Sequence, residues 1–131
     1  MSRDHRKLRA FGDAHQLTLA VYRHTREFPK EEWFGIRAQM RRAAVSIPSN
    51  IVEGSARPST RDYLRFCNIS LGSACELKYL VGLSQELGFV QEPAWSDVIV
   101  RCDAVVKQLQ RLVQALEKQL AAESPSVARS P

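Results

Sequence analysis

No apolar run in the chain approaches the roughly 20 residues a membrane-crossing helix needs. The charged start MSRDHRKLR also lacks the apolar segment of a secretory signal. A cytoplasmic protein, with no membrane partner, is therefore expected. Also missing are a glycine-rich phosphate loop, an H-E-x-x-H pair, a G-x-S-x-G elbow and any strand-like alternation. Cysteine is scarce: there are three, with no C-x-x-C, so neither a disulfide framework nor a thiolate metal site is indicated. Cys67 and Cys75 fall on one expected helix, about 12 Å apart along its axis, and cannot bridge. Cys102 falls in the apolar stripe of another helix, and all three are expected as small buried apolar residues. Acidic residues are the minority, 14 against 19 Lys+Arg, and the net charge of +5 favours a polyanionic partner.

What is present is apolar residues at helical spacing. With 131 residues and 44 % hydrophobic composition, the chain can bury one core without disulfide or metal. Its organising stretch is 41–66, RRAAVSIPSNIVEGSARPSTRDYLRF, the end of one helix, a short loop and the start of the next. Pro48 lies inside the first of these helices, where it removes a donor and opposes the carbonyl of Ala44, predicting a kink. Gly54 and Pro58 stop that helix, and Ser59 with Asp62 opens the next.

Residues 1–9 carry Arg3, Arg6, Lys7 and Arg9 with no apolar pattern, which predicts a flexible basic arm. Helix 1 is expected over 13–27, with Ala14, Leu17, Val21, Thr25 and Phe28 inward and Leu19 and Tyr22 widening the stripe. His15 and His24 then lie on opposite faces and cannot share a metal. Trp33 and Phe34 are expected to cap the core beside the turn at 29–32. Helix 2, over 32–53, turns Ile36, Met40, Ala43, Ala44, Ile47 and Ile51 to the core. A separate strip of Arg37, Arg41, Val45, Pro48 and Val52 reads either as a subunit interface or as a surface helix with stray valines. Helix 3, over 60–87, carries Tyr63, Phe66, Ser70, Ala74, Leu77, Val81 and Ser84 on one side. Its other side holds Gly72, Cys75, Tyr79 and Leu83, with Ile69 and Leu80 alongside, and a helix apolar on two sides is buried on two sides. The second covering is expected from another subunit. Gly88 ends helix 3, and helix 4 runs from the Glu92-Pro93 step to about 120 on a heptad of Val98, Cys102, Val105, Leu109, Leu112 and Leu116. Arg101, Lys107, Arg111 and Lys118, mixed with Asp97, Asp103 and Glu117, read as its solvated face. The Ser/Pro/Ala-rich tail 121–131 is expected to be disordered. The fold class is therefore all-α: an antiparallel up-down-up-down four-helix bundle spanning 10–120, kinked at Pro48.

The words RRAAVSIPSNIVEGSAR and RDYLRFCNISLGSACELKYLVGLSQELGF, with EFPKEEWFGIRAQM upstream, resemble the bacterial proteins read from 23S rRNA intervening sequences. The resemblance covers roughly residues 10–118. It implies an antiparallel four-helix bundle and assembly into five-membered rings. A related group, the accessory proteins of diversity-generating retroelements, binds reverse transcriptase and nucleic acid.

Positions expected to face the core offer almost no titratable groups, and the Glu-x-x-His pairs of di-iron bundles are absent. No catalytic residue, metal or cofactor is expected, and the protein is not read as an enzyme. Glu53 is expected to pair with Arg57 or Arg61, and Glu76 with a helix 2 arginine of its own or the next subunit; an ordinary exposed carboxylate is the alternative for each. Arg41, Arg42, Arg57, Arg61 and Arg65 form the candidate surface for RNA or DNA, with no aromatic platform interleaved among them. Arg37, Val45, Val52, Gly72, Tyr79 and Leu83 form the candidate interface of a homo-oligomer. The competing use of the arginines is ion pairing within a protein-interaction scaffold that has no nucleic-acid role.

Overall fold

The computed structural model describes residues 3–5 and 8–123. The four amphipathic patterns become α1 (Arg9–His24), α2 (Ile36–Ser55), α3 (Thr60–Glu86) and α4 (Ala94–Glu123), with one short 3-10 turn at Lys30–Glu32. Helix α1 packs on α2 and α4, and α3 packs on the same two helices. Short links between sequence neighbours give the antiparallel square of a four-helix bundle. Leu17, Met40, Ile47, Ile51, Leu77, Val81, Val105 and Leu109 are fully buried at its centre. No described helix is long and apolar enough to cross a membrane.

Helix ends follow local chemistry. The Ser59 hydroxyl accepts the Asp62 N–H at 3.0 Å and starts α3, satisfying a donor that has no partner inside the helix. Gly88, with φ of +79°, ends α3. The Phe89 N–H reaches the Ser84 carbonyl at 2.8 Å and the Gly88 N–H reaches Gln85 at 3.0 Å, the paired bonds of a Schellman cap. Inside α2, Pro48 leaves the Ala44 carbonyl without its usual donor. The Thr18 hydroxyl of α1 fills the gap, lying 3.0 Å from that carbonyl and 2.8 Å from its own Ala14 carbonyl. The missing bond within α2 thus becomes a link between α1 and α2.

The α2–α3 contact is close because its residues are small. Ser70 donates to the Ile47 carbonyl at 2.8 Å, Ser46 and Ser73 share a bond of 2.8 Å, and Ser84 donates to Met40 Sδ at 3.3 Å. A Cβ on Gly54 would stand 2.8 Å from Phe66 Cβ and 3.0 Å from the Tyr63 ring, so glycine is what lets α3 come this near.

Several boundaries and placements differ from the sequence reading. Helix α1 begins at Arg9 rather than 13, and Asp13 lies within it, its carboxylate accepting from Gln108 of α4. Helix α2 begins at Ile36 rather than 32, because Lys30–Glu32 close a 3-10 turn first. Phe34 does not cap the core; it is 95 % exposed, while Trp33 turns back and donates to the Phe28 carbonyl at 3.1 Å. Leu80 is buried rather than on the outer side of α3. Of the expected arm 1–9, residues 1, 2, 6 and 7 lie outside the described ones, and Arg3, His5 and Leu8 rest on the bundle. Of the expected tail 121–131, residues 121–123 are helical and Glu123 accepts from Thr60 at 2.9 Å; 124–131 lie outside the described residues. Cys67 and Cys102 are buried as expected, but Cys75 is exposed.

Two measurements follow. Thr18→Val should lower stability by about 1 kcal/mol in urea unfolding, because it strands the Ala44 carbonyl. In a Pro48→Ala background the same change should cost measurably less, since residue 48 then supplies the N–H. Burial pushes the Cys67 and Cys102 thiols up to about 12, so neither forms the reactive thiolate near neutrality. A thiol reagent should leave both unmodified in the folded chain and modify all three cysteines after unfolding.

Candidate nucleic-acid interface

The α2–α3 turn gathers the cationic side chains. Because Gly54 lets α3 close on α2, the Phe66 ring lies directly beside the turn. Arg57, after the end of α2, places its guanidinium 5.1 Å from the centre of that ring, and Arg65, on α3, places its own at 4.5 Å. Arg57 also donates to Glu53 Oε1 at 2.8 Å, the i,i+4 pair expected from spacing. Arg3 completes the cluster. Its backbone N–H reaches the Ser55 carbonyl at 3.2 Å, its side chain donates to the Arg57 carbonyl at 2.8 Å, and its guanidinium sits 4.5 Å over the Tyr63 ring. Burial, with a smaller contribution from Cys67, pushes the Tyr63 phenol up to about 12 against the opposing charge of Arg3. Arg61 stands one turn before Arg65, exposed and with no ion pair to a described residue.

Guanidiniums over ring faces gain on the order of 0.5–1 kcal/mol each at exposed sites. Their larger effect here is position: the rings hold the guanidiniums beside the turn. Phe66 and Tyr63 thus correct the expectation that no aromatic residues interleave with the arginines. The rings hold the guanidiniums and are covered by them, which leaves the cluster suited to phosphates rather than to stacked bases.

The other two candidate residues are elsewhere. Arg41 is sixteen residues up α2 from Arg57, about 24 Å along the axis. Its Nε donates to the Thr25 hydroxyl at 2.9 Å, its Nη2 donates to the Tyr22 carbonyl at 3.2 Å, and it covers the Tyr22 ring at 4.5 Å. Burial, then the neighbouring Arg37, lowers its pKa from the usual arginine value. Arg42 lines a cleft between α2 and α3 with Ser46, Ser73 and Glu76, and makes no ion pair with a described residue. The structure therefore brings together Arg57, Arg61 and Arg65, adds Arg3, and separates Arg41 and Arg42 from them. Arg3 was read only as part of the basic arm, because its partner Arg57 is 54 residues away and no local pattern marks it.

Of the candidate interface residues, Arg37 stacks on Trp33 at 4.4 Å and Leu83 is half-buried against the core. Val45, Val52 and Gly72 are exposed, and Tyr79 is 68 % exposed. Two acids of the α4 outer face are engaged: Asp97 with His24 and Arg101, each at 2.9 Å, and Asp103 with Lys78 at 2.7 Å. Among the described residues no group of three or more His, Cys, Asp or Glu side chains is arranged to hold a metal.

The family model of the 23S rRNA-intervening sequence protein matches residues 6–111. A similar solved structure is a protein of unknown function from the S23 ribosomal protein family of Bacteroides thetaiotaomicron, with a TM-score of 0.74 and 19 % identity, over 80 % of this chain and 95 % of that one. At that identity the likeness shows a shared fold. No curated protein matches the chain. The family match covers most of the sequence and includes the Pro48 helix, the Gly54 turn and Arg57, Arg61 and Arg65, so this chain belongs to the 23S rRNA-intervening sequence protein family.

Proposed function

We propose that the chain is a cytoplasmic, non-enzymatic homo-oligomer that binds RNA or DNA through Arg57, Arg61 and Arg65, joined by Arg3. The observation that carries this reading is the clamping of Arg57 and Arg65 on one Phe66 ring, beside an Arg61 with no ion pair to a described residue. Planar guanidiniums match phosphate oxygens and need no particular base, so binding is electrostatic, sequence-tolerant and salt-sensitive. A non-enzymatic role is supported by the buried polar residues Thr25, Ser55, Thr60, Ser70 and Ser84, whose hydroxyls are engaged in hydrogen bonds. Association of copies is supported by apolar residues left open on two faces: Val45 and Val52 on α2, and Ile69 and Tyr79 on α3. A Cβ at Gly72 would meet nothing within 4 Å, so nothing in the single chain calls for glycine there, whereas a second copy packed closely would. Five copies in a ring, the number the family resemblance implies, would repeat the cluster and raise avidity.

A second reading, a protein-interaction scaffold, is favoured by one fact. Arg41 and Arg57 already have partners within the chain, so the arginines can serve structure alone.

Light scattering after size exclusion, with and without a short RNA, decides between them. The expected result is a mass of several chains that takes up RNA. Arg61→Glu with Arg65→Glu should keep that mass, weaken RNA binding by about tenfold or more, and lower the salt slope by about 2. An oligomer that ignores RNA and DNA even at low salt would give the role to the scaffold reading. A monomer at micromolar concentration would remove the oligomer.

A further inference from the structure

A cleft lies away from the arginine turn. It runs between the start of α1 and the outer side of α4, with Leu8, Ala104 and Leu112 among its apolar lining and Arg9, Lys107 and Arg111 among its polar lining. A second cleft shares Arg111 and continues past Ala115 and Lys118 to Ala121. Together they follow α4 from Val100 to Ala121, about 30 Å at the helical rise.

Val100, Ala104, Lys107, Arg111, Ala115 and Lys118 recur at intervals of three and four, so they form one seam on α4. This seam is separate from the buried heptad of Val98, Cys102, Val105 and Leu109. Val100 is 64 % exposed on it. Arg9, Lys107, Arg111 and Lys118 are exposed and make no ion pair with a described residue. Asp103 also lines the first cleft and is taken by Lys78, and Glu117 is the carboxylate in the second cleft.

We infer that this seam is the docking site for an acidic amphipathic helix of a partner protein. The length fits a helix of about 20 residues. The three-four spacing and the small residues Ala104 and Ala115 fit ridge-into-groove helix packing. Charge selects the occupant. Two copies of this chain facing each other through the seam would set Lys107, Arg111 and Lys118 against the same cations. A bare phosphate backbone would gain nothing from Leu8, Val100 and Leu112. A helix with Glu or Asp at three seam positions and Leu or Ala between them satisfies both the rim and the floor. This surface is distinct from the Arg57–Arg65 cluster and does not depend on the reading of that cluster.

The probe is a fluorescein-labelled 21-residue peptide with such a seam, alongside a peptide of the same composition with the seam scrambled. The full chain should bind the first at micromolar concentration and the second at least tenfold more weakly. Lys107→Glu with Arg111→Glu, two exposed positions, should weaken binding tenfold or more. Arg61→Glu with Arg65→Glu should leave it unchanged. Amide shifts in the ¹⁵N-labelled chain should fall on Val100–Lys118 and on Leu8–Ala10. Equal binding of the two peptides, no binding at 100 µM, or shifts elsewhere would overturn the inference. Loss of RNA binding in the Lys107/Arg111 variant would assign the seam to nucleic acid instead. Concentration-dependent shifts along it without peptide would assign it to a second copy.

Discussion

The closeness of α2 to α3 is the constraint on which the candidate site depends. Two helices approach this nearly only where side chains are small or absent, and Gly54, Ser70, Ser73 and Ala74 provide that along the seam. Hydroxyls then make use of the short distance. Ser70 bonds a carbonyl of the facing helix, which is feasible because serine adds little bulk. At the end of the seam the same closeness sets the Phe66 side chain beside the turn, where Arg57 and Arg65 stack on it. A larger residue at 54 would displace the ring that holds the guanidiniums.

Arginine has two uses in this chain. At one end of α2, Arg41 is held by a hydroxyl, a carbonyl and a ring, all from the end of α1, and acts as a strut between helices. At the other end, Arg57 and Arg65 are held by a ring beside the turn. Exposed ion pairs such as Arg57–Glu53 contribute little stability, on the order of 0–1 kcal/mol, so geometry rather than energy distinguishes the two uses. The same bookkeeping of partners exposes the α4 seam: once Lys78 holds Asp103 and His24 and Arg101 hold Asp97, Lys107, Arg111 and Lys118 outnumber the remaining carboxylate, Glu117.

The fold is shared with a bacterial protein only 19 % identical to it. That is expected where a bundle is specified by apolar spacing, caps and a few small seam residues, since many side chains satisfy each requirement. Surface charge is under no such constraint, so the fold leaves the task open.

The sequence by itself determined four helices, their inward stripes and much of their punctuation. Ser59 with Asp62, Gly88, and Glu53 with Arg57 were all legible because each interaction spans at most five residues and depends on local geometry. Tertiary structure decided the rest. The exposure of Phe34 and Cys75, the docking of Arg3 on Arg57, the tying of Arg41 to Tyr22 and Thr25, and the capture of Asp97 by His24 depend on how each helix is rotated and how far it slides against its neighbour. Spacing along one helix fixes which residues share a face. It does not fix which residue of another helix stands opposite, and that pairing determines which arginines meet at the turn and which cations are left open on α4.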